Sequence, residues 1–441
     1  MLLIPSTLLL LTPTPALDGS SEEVAALLQP GGGGYAYGVS MGLVPVDQIA
    51  GGLLVLFRAP DTGTDAGLAQ ISFQLAQHPD VIWAEPNRQA QEPETEECTD
   101  DEGGEGGGGT GEGGDPQGTS GQQCSVGFVD QTPTVEEFFG QDALAQLHAD
   151  AAAQYATGAQ AVVAVIDTGI DPGHPTFLGK LHPAGYDFLL DQAGGIDFAD
   201  GEDTDDDGII DEGYGHGSHV ASSVLLVCPD ALILPLRVLD SDGNGSAFDV
   251  ADAIFYAIEA GADIINLSLS TNEPSLAVAA ALMWAEFQGV TAFVSAGNSG
   301  QSEEVFPGSY SIANVPWTVP VIPQGVVLDG REVVTVGGVN GDDGKASFAT
   351  YGAHVDLCAP AVQVYGSIPG GGYAWWSGTS MATGLASGAG AFALSVGAGQ
   401  DWLDALLSSC DPLDALNPDY AGGLGSGRIH LLNAVLQLVN P

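Results

Sequence analysis

The sequence predicts an α/β protein whose mostly parallel central sheet is flanked by helices and preceded by a small α+β domain. From about residue 142 onward, short apolar runs alternate with amphipathic helical segments, which is typical of a parallel sheet covered on both faces. Before residue 92, two strand-like runs surround one helical segment. A segment rich in Gly, Glu and Asp separates these two parts, so we expect at least two folded units.

The chain of 441 residues is strongly acidic. Lys and Arg total 7 against 57 Asp and Glu, a formal net charge of −50, yet charged residues make up only 15% of the chain where about 25% is usual. Such a surface repels nucleic acid and anionic membranes, so both are poor partners. It suits high salt or the binding of divalent cations, or it simply keeps the protein soluble, and composition does not decide among these.

Residues 1–16 are typical of a secretory signal peptide. They contain four consecutive leucines, Leu8 to Leu11, and end at the small-x-small pattern Thr14-Pro15-Ala16. This run is too short to span a bilayer, and no later segment reaches 18 uninterrupted apolar residues. We therefore expect a secreted protein, extracellular or periplasmic, without a membrane span.

Residues 18–91 form the predicted small α+β domain. Gly52 to Phe57 and Val81 to Trp83 are strand-like, and Ala66 to Gln77 has helical spacing of its apolar residues. Residues 92–130 follow as an acidic, Gly-rich linker that lacks the apolar residues needed to fold. An exposed linker of this kind is a favoured site of proteolytic maturation.

Five cysteines are scattered along the chain, with no spacing that resembles a zinc site. Cys98 and Cys124 bracket the linker and could close a disulfide in an oxidising compartment. Buried thiols are expected for the other three, which lie in apolar segments: Cys228, Cys358 and Cys410.

Residues 131–441 form the predicted larger domain. Ser246, with Asp249 three residues later, predicts one helix start, and Gly289 predicts the end of another helix that begins near Ser275. Five apolar runs predict buried strands: 161–166, 263–269, 290–295, 333–336 and 355–358.

Three polar residues stand where such a sheet carries its working groups, beyond strand ends and at helix starts. Asp167 directly follows an apolar run, His216 opens a short apolar helix, and Ser380 follows a Gly-Thr turn at the start of a helix of small residues. Alone, Asp167 and Ser380 would be helix or turn caps. Together, a carboxylate that orients an imidazole and an imidazole that takes a serine proton predict a catalytic triad.

The settings of these residues resemble the subtilisin-like serine protease family. They are Val-Ile-Asp-Thr-Gly-Ile-Asp around Asp167, Gly-His-Gly-Ser-His-Val-Ala around His216, and Ser-Gly-Thr-Ser-Met-Ala-Thr around Ser380, in the chain order of subtilisin. The resemblance covers residue 141 to the C-terminus. It implies a subtilisin-like serine endopeptidase that acts on polypeptides and needs no organic cofactor, with His219 in a structural role.

The same resemblance implies an oxyanion hole and a substrate cleft. The Asn298 side-chain amide and the Ser380 N–H would form the oxyanion hole. Extended substrate would lie between two backbone edges, and a third segment would wall the main specificity pocket. The residues so implied are Gly243, Asn244 and Gly245 on one edge, Ser268, Leu269 and Ser270 on the other, and Ser295, Ala296 and Gly297 in the wall.

Residues 78–87, His-Pro-Asp-Val-Ile-Trp-Ala-Glu-Pro-Asn, resemble the end of the inhibitory prodomain of this family. The alternative is an unrelated small βαβ module. The resemblance implies that residues 18–91 inhibit the larger domain within one chain, so that the protein is made as a zymogen. We expect it to be a monomer.

Four departures from the family pattern stand out. Gly384 replaces a usual Pro, which should loosen the serine helix, and Ser222 replaces a customary Gly in the histidine helix. Residues 311–331 form an insertion near the specificity pocket. Thr176 stands where the family's main calcium site has an Asp, and the loop of that site is missing, so we expect that site to be absent.

A different calcium pattern precedes His216. Acidic residues occupy positions 1, 3, 5 and 9 of a loop with Gly208 at position 6, although Tyr214 replaces the closing carboxylate. A solvated acidic loop is the alternative. The calcium ligands in this prediction are Asp203, Asp205, Asp207 and Asp211.

Three other functions stay open at this level. The departures at Gly384, Ser222 and Ser270 would also suit a catalytically silent binding or surface protein on the same scaffold. An acid-active relative that uses Glu as its base is disfavoured by His216. A protease whose sole substrate is its own prodomain would have the same residues.

Overall fold

A computed structural model describes residues 23–59, 65–92, 124–128, 138–204, 208–271, 273–309, 333–397 and 402–440, with the backbone alone for 124–128. Several predictions fall outside the described residues. They are the signal peptide, most of the linker, the insertion at 311–331, the Cys98–Cys124 disulfide, and Asp205 and Asp207 of the calcium loop.

The N-terminal unit contains four strands and two helices. They are β1 (Glu23–Leu28), α1 (Gly34–Ser40), β2 (Val44–Ile49), β3 (Leu54–Arg58), α2 (Asp65–Leu75) and β4 (Val81–Pro86). The strands form an antiparallel sheet in the order β2-β3-β1-β4. Along β1, Val24 and Ala26 pack in the unit's own core, whereas Ala25 and Leu27 pack in a cluster shared with the larger domain.

The remaining strands run from β5 to β18. They are β5 (Gln89–Gln91), β6 (Cys124–Phe128), β7 (Val162–Asp167), β8 (Tyr186–Asp187), β9 (Gln192–Ala193), β10 (Leu232–Arg237), β11 (Asn244–Ser246), β12 (Ile264–Leu267), β13 (Ser270–Thr271), β14 (Thr291–Ser295), β15 (Val333–Val339), β16 (Leu357–Pro360), β17 (Val364–Ile368) and β18 (Gly372–Ser377).

The larger domain also contributes the α-helices α3 to α10. They are α3 (Asp142–Gln146), α4 (Ala149–Ala152), α5 (His216–Val227), α6 (Ala247–Glu259), α7 (Leu276–Gln288), α8 (Thr379–Val396), α9 (Trp402–Ser408) and α10 (Leu431–Val439). Ser246 caps α6, since its Oγ accepts the Asp249 N–H at 3.1 Å, and Gly289 ends α7 with φ 76°. Both helix boundaries are confirmed.

Eight strands form the central sheet, in the order β16-β15-β14-β12-β7-β10-β8-β9. Neighbours are parallel except β8 and β9 at one edge. Along β7, Val163 and Val165 face one apolar cluster and Ala164 and Ile166 face the other. The sheet is therefore covered on both faces, which confirms the predicted α/β fold.

Helices α5 and α8 cover one face of the sheet, and α6 and α7 cover the other. Glycines of α8 lie where it meets α5. A Cβ at Gly384 would stand 2.8 Å from Val220 O, and a Cβ at Gly388 would stand 2.6 Å from Val224 O. Gly384 therefore permits close packing of α5 and α8. The family pattern, in which Pro is usual at this position, does not reveal this role.

Two other departures have partners in a hydrogen-bond network. Ser222 Oγ donates to His219 O at 2.8 Å and accepts the Ser367 N–H at 2.8 Å. Thr176 Oγ1 accepts from Ser367 Oγ at 2.9 Å and lies 3.0 Å from Tyr373 Oη. Residues 228–231 alone join α5 to β10. Ser222 thus ties α5 to β17, and Thr176 binds side chains of β17 and β18.

Two small sheets complete the described fold, with strand orders β11-β5-β13 and β17-β18-β6. Strand β6 lies inside the range predicted as linker, so the linker prediction is wrong for residues 124–128. These residues pair antiparallel with β18. Pairing with a strand that is distant in sequence satisfies the backbone hydrogen-bonding groups of these residues. Local composition carries no signal of such pairing.

The three cysteines whose side chains the structure describes have free thiols. Cys228 and Cys358 are buried, as predicted, and Cys410 is half-buried. Burial raises the pKa of Cys228 to about 12 and that of Cys410 to about 12. These thiols therefore stay protonated at neutral pH and serve packing.

Replacing Gly388 with Ala should destabilise the larger domain. The new methyl group would overlap Val224 O, so α5 and α8 must move apart at a cost of about 1–3 kcal/mol. Chemical denaturation of Gly388→Ala, compared with the unchanged protein, measures this loss. Gly341→Ala is the control, because a Cβ there meets no atom within 4 Å. Equal stability of the two variants would contradict the packing argument.

Candidate active site

The predicted catalytic residues lie at the carboxyl edge of the parallel sheet. Asp167 is the last residue of β7, His216 is the first residue of α5, Ser380 is the second residue of α8, and Asn298 follows β14. All four side chains are buried, between 0% and 4% exposed. Strand ends and helix starts meet at this edge because the strands of the sheet run in parallel.

The carboxylate and the imidazole form a direct hydrogen bond. Asp167 Oδ1 lies 2.8 Å from His216 Nδ1 and also accepts the Thr168 N–H at 2.8 Å. An Nδ1–H that donates to this carboxylate leaves Nε2 of the neutral ring as the basic nitrogen. A glycine at 217 is required, since a Cβ there would lie 2.1 Å from Gly169 O.

A second buried carboxylate, Asp197, supports this pair, and sequence analysis missed it. Asp197 Oδ2 accepts the Gly215 N–H at 2.8 Å and the Thr168 hydroxyl at 3.2 Å. Thr168 Oγ1 in turn accepts the Gly217 N–H at 3.1 Å. Asp197 thus ties the start of α5 to the end of β7. Its sequence neighbours form no recognisable motif, so only the fold identifies it.

The charge of His216 is set by opposing effects. Burial lowers its pKa, but the Asp167 and Glu92 carboxylates raise it, with a net rise to about 9. His219 behaves differently, because burial lowers its pKa to about 3. His219 Nε2 lies 3.1 Å from Ala374 O, and its ring stacks on the indole of Trp376, with 4.8 Å between the ring centroids. These contacts support a structural role for His219.

Ser380 occupies the N-terminal turn of α8, where unpaired amides favour negative charge. Its Oγ lies 3.4 Å from Ser268 O, and its own carbonyl accepts the Ser268 hydroxyl at 3.0 Å. The serine is thereby held beside the segment that leads into β13. Helices α5 and α8 pack against each other, which brings the imidazole and hydroxyl ends of the site to the same side of the sheet.

The orientation of the Asn298 amide is determined by Thr379. Asn298 Oδ1 accepts both the Thr379 N–H, at 2.9 Å, and the Thr379 hydroxyl, at 2.8 Å. Two donors on one oxygen identify it as the carbonyl oxygen, so Nδ2 is the donor end of the amide. Nδ2 lies 3.6 Å from the position that a Cβ at Gly378 would occupy. The donor end therefore points toward the start of α8.

The predicted cleft edges flank β5 of the same chain. Asn244, Gly245 and Ser246 pair antiparallel with β5 on one side, and Ser270 and Thr271 pair on the other. Beyond β5, the Glu92 N–H donates to Gly243 O at 3.0 Å. Ser268 and Leu269 directly precede β13 and continue that edge toward Ser380. Ala90, in the middle of β5, is fully buried.

The predicted wall segment adjoins this cleft. Ser295 Oγ donates to Leu269 O at 3.3 Å, Ala296 is fully buried, and Gly297 adopts φ 97°. A Cβ at Gly297 would meet Thr350 Oγ1 at 3.1 Å, so glycine suits both the backbone and the space there.

Among the described residues, two groups of side chains have the spacing of metal ligands. One consists of Glu92, Asp167 and His216 and belongs to the site above. The other, at the surface, consists of His148, Asp411 and His430. His430 Nδ1 accepts the Asn433 N–H at 3.2 Å, and Asp411 pairs with Arg428. Both of these donors are engaged within the protein, so we assign no metal to the second group.

A parallel sheet that carries an Asp–His pair and a helix-start serine at its carboxyl edge is typical of serine hydrolases. A sequence model of the Subtilase family matches residues 158–405, more than half of the chain. The chain therefore belongs to the subtilase family, a family of serine-type endopeptidases.

Individual relatives agree with this assignment. The chain is 30% identical over 301 residues to thermitase of Thermoactinomyces vulgaris, covering 66% of this chain and 94% of thermitase. It is 33% identical over 284 residues to the thermophilic serine proteinase of Bacillus sp. (strain AK1), covering 62% and 61% of the two chains. It is 34% identical over 248 residues to subtilisin E of Bacillus subtilis (strain 168), covering 54% and 56%. The chain thus spans less than two thirds of the last two relatives.

Among the described residues, none of the helices combines the length and the apolar character that crossing a bilayer requires.

Replacing Asp197 with Asn should make stability less dependent on pH between about 4 and 7. Burial raises the pKa of Asp197 to about 7, whereas the unfolded value is about 3.9. The folded state therefore holds this proton more tightly, and its contribution to stability is lost as pH rises toward 7. Asp197→Asn has no such proton to lose. The difference in unfolding free energy, variant minus unchanged protein, should therefore increase by about 2–4 kcal/mol as pH rises from 4 to 7.

Urea unfolding of both proteins at pH 4, 5.5 and 7 measures this difference. Asp419→Asn, which removes an exposed carboxylate, controls for the loss of one charge. A difference for Asp197→Asn that does not change with pH would contradict the argument.

Proposed function

We propose that the protein is a serine endopeptidase in which Asp167, His216 and Ser380 form the triad and Asn298 contributes to the oxyanion hole. The hydrogen bond of 2.8 Å between Asp167 and His216, beside the helix start that carries Ser380, is the observation that supports this most directly. Family membership supports the reaction class independently.

In the proposed mechanism, Ser380 Oγ attacks the peptide carbonyl while His216 Nε2 takes its proton. His216 then returns the proton to the leaving amine, and water hydrolyses the acyl-enzyme by the same relay. Asp167 holds the tautomer and stabilises the imidazolium. The Asn298 Nδ2 amide and the Ser380 N–H donate to the developing oxyanion, which is worth about 10²–10³-fold in turnover, a magnitude measured in a subtilisin.

Substrate would bind as an extended strand between β11 and β13. Each edge offers backbone N–H and C=O groups that can pair with a substrate of any sequence. Strand β5 pairs with both edges in this way in the structure. Continued in the same antiparallel register, a bound chain would bring its second residue beyond the Gln91 position opposite Ser268. That residue would stand beside Ser380 Oγ, which lies 3.4 Å from Ser268 O. The expected substrates are therefore unfolded or flexible polypeptide segments.

We also propose that residues 18–91 are an inhibitory prodomain and that the protein is a secreted zymogen. Two side chains, one near the end of β4 and one just after it, support this by capping helices of the larger domain. Glu85 Oε1 accepts the Ala277 N–H at 3.0 Å and the Ser275 hydroxyl at 3.1 Å, and Asn87 Oδ1 accepts the Phe248 N–H at 3.2 Å. An anion at the start of α7 is favourable. These caps hold the N-terminal unit where its following strand, β5, fills the cleft.

Replacing Ser380 with Ala should abolish both activity and self-processing. The full-length wild-type chain should shorten on incubation, hydrolyse casein and become labelled by a fluorophosphonate probe. Ser380→Ala should stay full length, with turnover at least about 10⁴-fold lower. Mass spectrometry gives the mature N-terminus in the same experiment, and circular dichroism controls for folding. Wild-type protein that neither reacts with the probe nor cleaves casein would be a silent scaffold instead.

The acidic loop before His216 remains a proposed calcium site. The two described carboxylates organise the loop through the backbone. Asp203 Oδ2 accepts the Gly208 N–H at 3.0 Å, and Asp211 Oδ1 accepts the Asp200 and Gly201 N–H groups, each at 3.0 Å. Carboxylate oxygens on a tight loop with glycine at position 6 fit calcium in donor type. A bound ion would order the segment that leads into His216 and would take no part in the reaction.

Chelation should lower thermal stability if calcium binds this loop. The expected fall in Tm on adding EDTA should be reversed by excess Ca²⁺ but not by Na⁺ at equal ionic strength, since binding to the folded state stabilises it. Asp203→Asn should abolish the response to EDTA. Melting curves that are identical with and without EDTA would contradict calcium binding.

A further inference from the structure

The residue that follows β5 contacts the catalytic imidazole directly. Glu92 Oε1 lies 3.5 Å from His216 Nδ1, the nitrogen that is also bonded to Asp167. The Glu92 N–H donates to Gly243 O at 3.0 Å, so the backbone of this residue is held as part of the cleft ladder. Its side chain is only 16% exposed.

The space around the Glu92 side chain is formed by two glycines. A Cβ at Gly243 would lie 2.9 Å from Glu92 Cγ, and a Cβ at Gly213 would lie 2.9 Å from Glu92 Oε1. A side chain at either position would collide with Glu92. The contact is therefore built into the walls of the cleft and does not result from a freely mobile surface side chain.

Titratable groups face His216 from each packed element. Asp167 lies at the end of β7, Glu92 beyond β5, Asp197 in the loop before α5, and His219 one turn along α5 itself. Asp167, Glu92 and Asp197 favour the imidazolium form, and burial opposes it. The ring also stacks on Trp376, 6.2 Å away, which adds no titrating group.

We propose that Glu92 is a pH-sensitive brake on the enzyme, holding His216 as an imidazolium for as long as its own strand occupies the cleft. An imidazolium cannot accept the proton of Ser380, so the serine stays a poor nucleophile. The inference rests on the proposed protease function. In this proposal the chain inhibits itself in two ways. Strand β5 occupies the cleft, and the Glu92 carboxylate keeps the catalytic base protonated.

The direction of the pH effect follows from this pair. Because the two carboxylates hold the pKa of His216 well above its usual value, the brake acts at neutral pH and is released as pH rises through the raised value. Departure of Glu92 removes one of the two charges at Nδ1, so the pKa of His216 falls in the freed site. The mature enzyme would then work at a pH at which the uncut chain is still inhibited.

The test compares full-length Glu92→Gln with the unchanged chain. Glutamine keeps the length and packing of the side chain and removes its charge. Initial rates of self-processing between pH 6 and 10.5, followed by mass spectrometry, should rise toward an upper plateau in both proteins. The midpoint for Glu92→Gln should lie about one pH unit lower, so that it processes about tenfold faster at pH 7. Glu259→Gln, which loses an exposed carboxylate on α6, should match the unchanged chain.

A second measurement does not depend on cleavage. In full-length Ser380→Ala the strand stays uncut, and the titration of His216 can be followed by NMR of its imidazole. Adding Glu92→Gln should lower the midpoint of that titration by about one pH unit or more. Equal midpoints with and without Glu92 would overturn the brake while leaving the protease function intact. Absence of both processing and fluorophosphonate labelling at every pH would overturn the protease function and the brake together.

Discussion

The buried hydrogen bond between Asp167 and His216 is the contact on which the rest of the site depends. It joins the end of one strand to the start of one helix, and each partner is almost fully buried. A buried charge is costly unless it is paired, so the surrounding structure supplies donors. Thr168 donates its N–H to Asp167 and its hydroxyl to Asp197, and Asp197 also accepts the Gly215 N–H, so these hydrogen bonds hold the two elements together. The placement of β7 and α5 that these hydrogen bonds require is therefore also the placement that brings Asp167 and His216 together.

The N-terminal unit and the larger domain are joined by polar and apolar contacts of different kinds. One face of the antiparallel sheet packs in the apolar cluster of α6 and α7, and Glu85 and Asn87 complete the N-termini of those helices. Burial raises the pKa of Glu85, opposed by hydrogen bonds from the start of α7. The helix ends that receive these caps belong to the larger domain, so the domain is electrostatically better satisfied with the N-terminal unit in place.

Local patterns predicted most of the central sheet but not the whole N-terminal unit. Strands β7, β12, β14 and β15 follow from uniform apolar runs, because a strand buried on both faces has no polar alternation. Strand β1 was not predicted. Its sequence, Glu-Val-Ala-Ala-Leu-Leu, contains good helix formers, and it is extended because β3 and β4 pair with both of its edges. Glu23 is buried there, where it accepts from Arg58 at 3.3 Å.

The sequence by itself determined the fold class, the family and the identity of the triad candidates, because strand periodicity, helix caps and short motifs are local properties of the chain. It did not determine Asp197, the packing role of Gly384 or the contact of Glu92 with His216. Each of these depends on atoms that are distant in sequence: Gly215 with Asp197, Val220 with Gly384, and Gly213 and Gly243 with Glu92. Tertiary structure decided them, because burial and close approach are properties of the folded surface that no single segment contains.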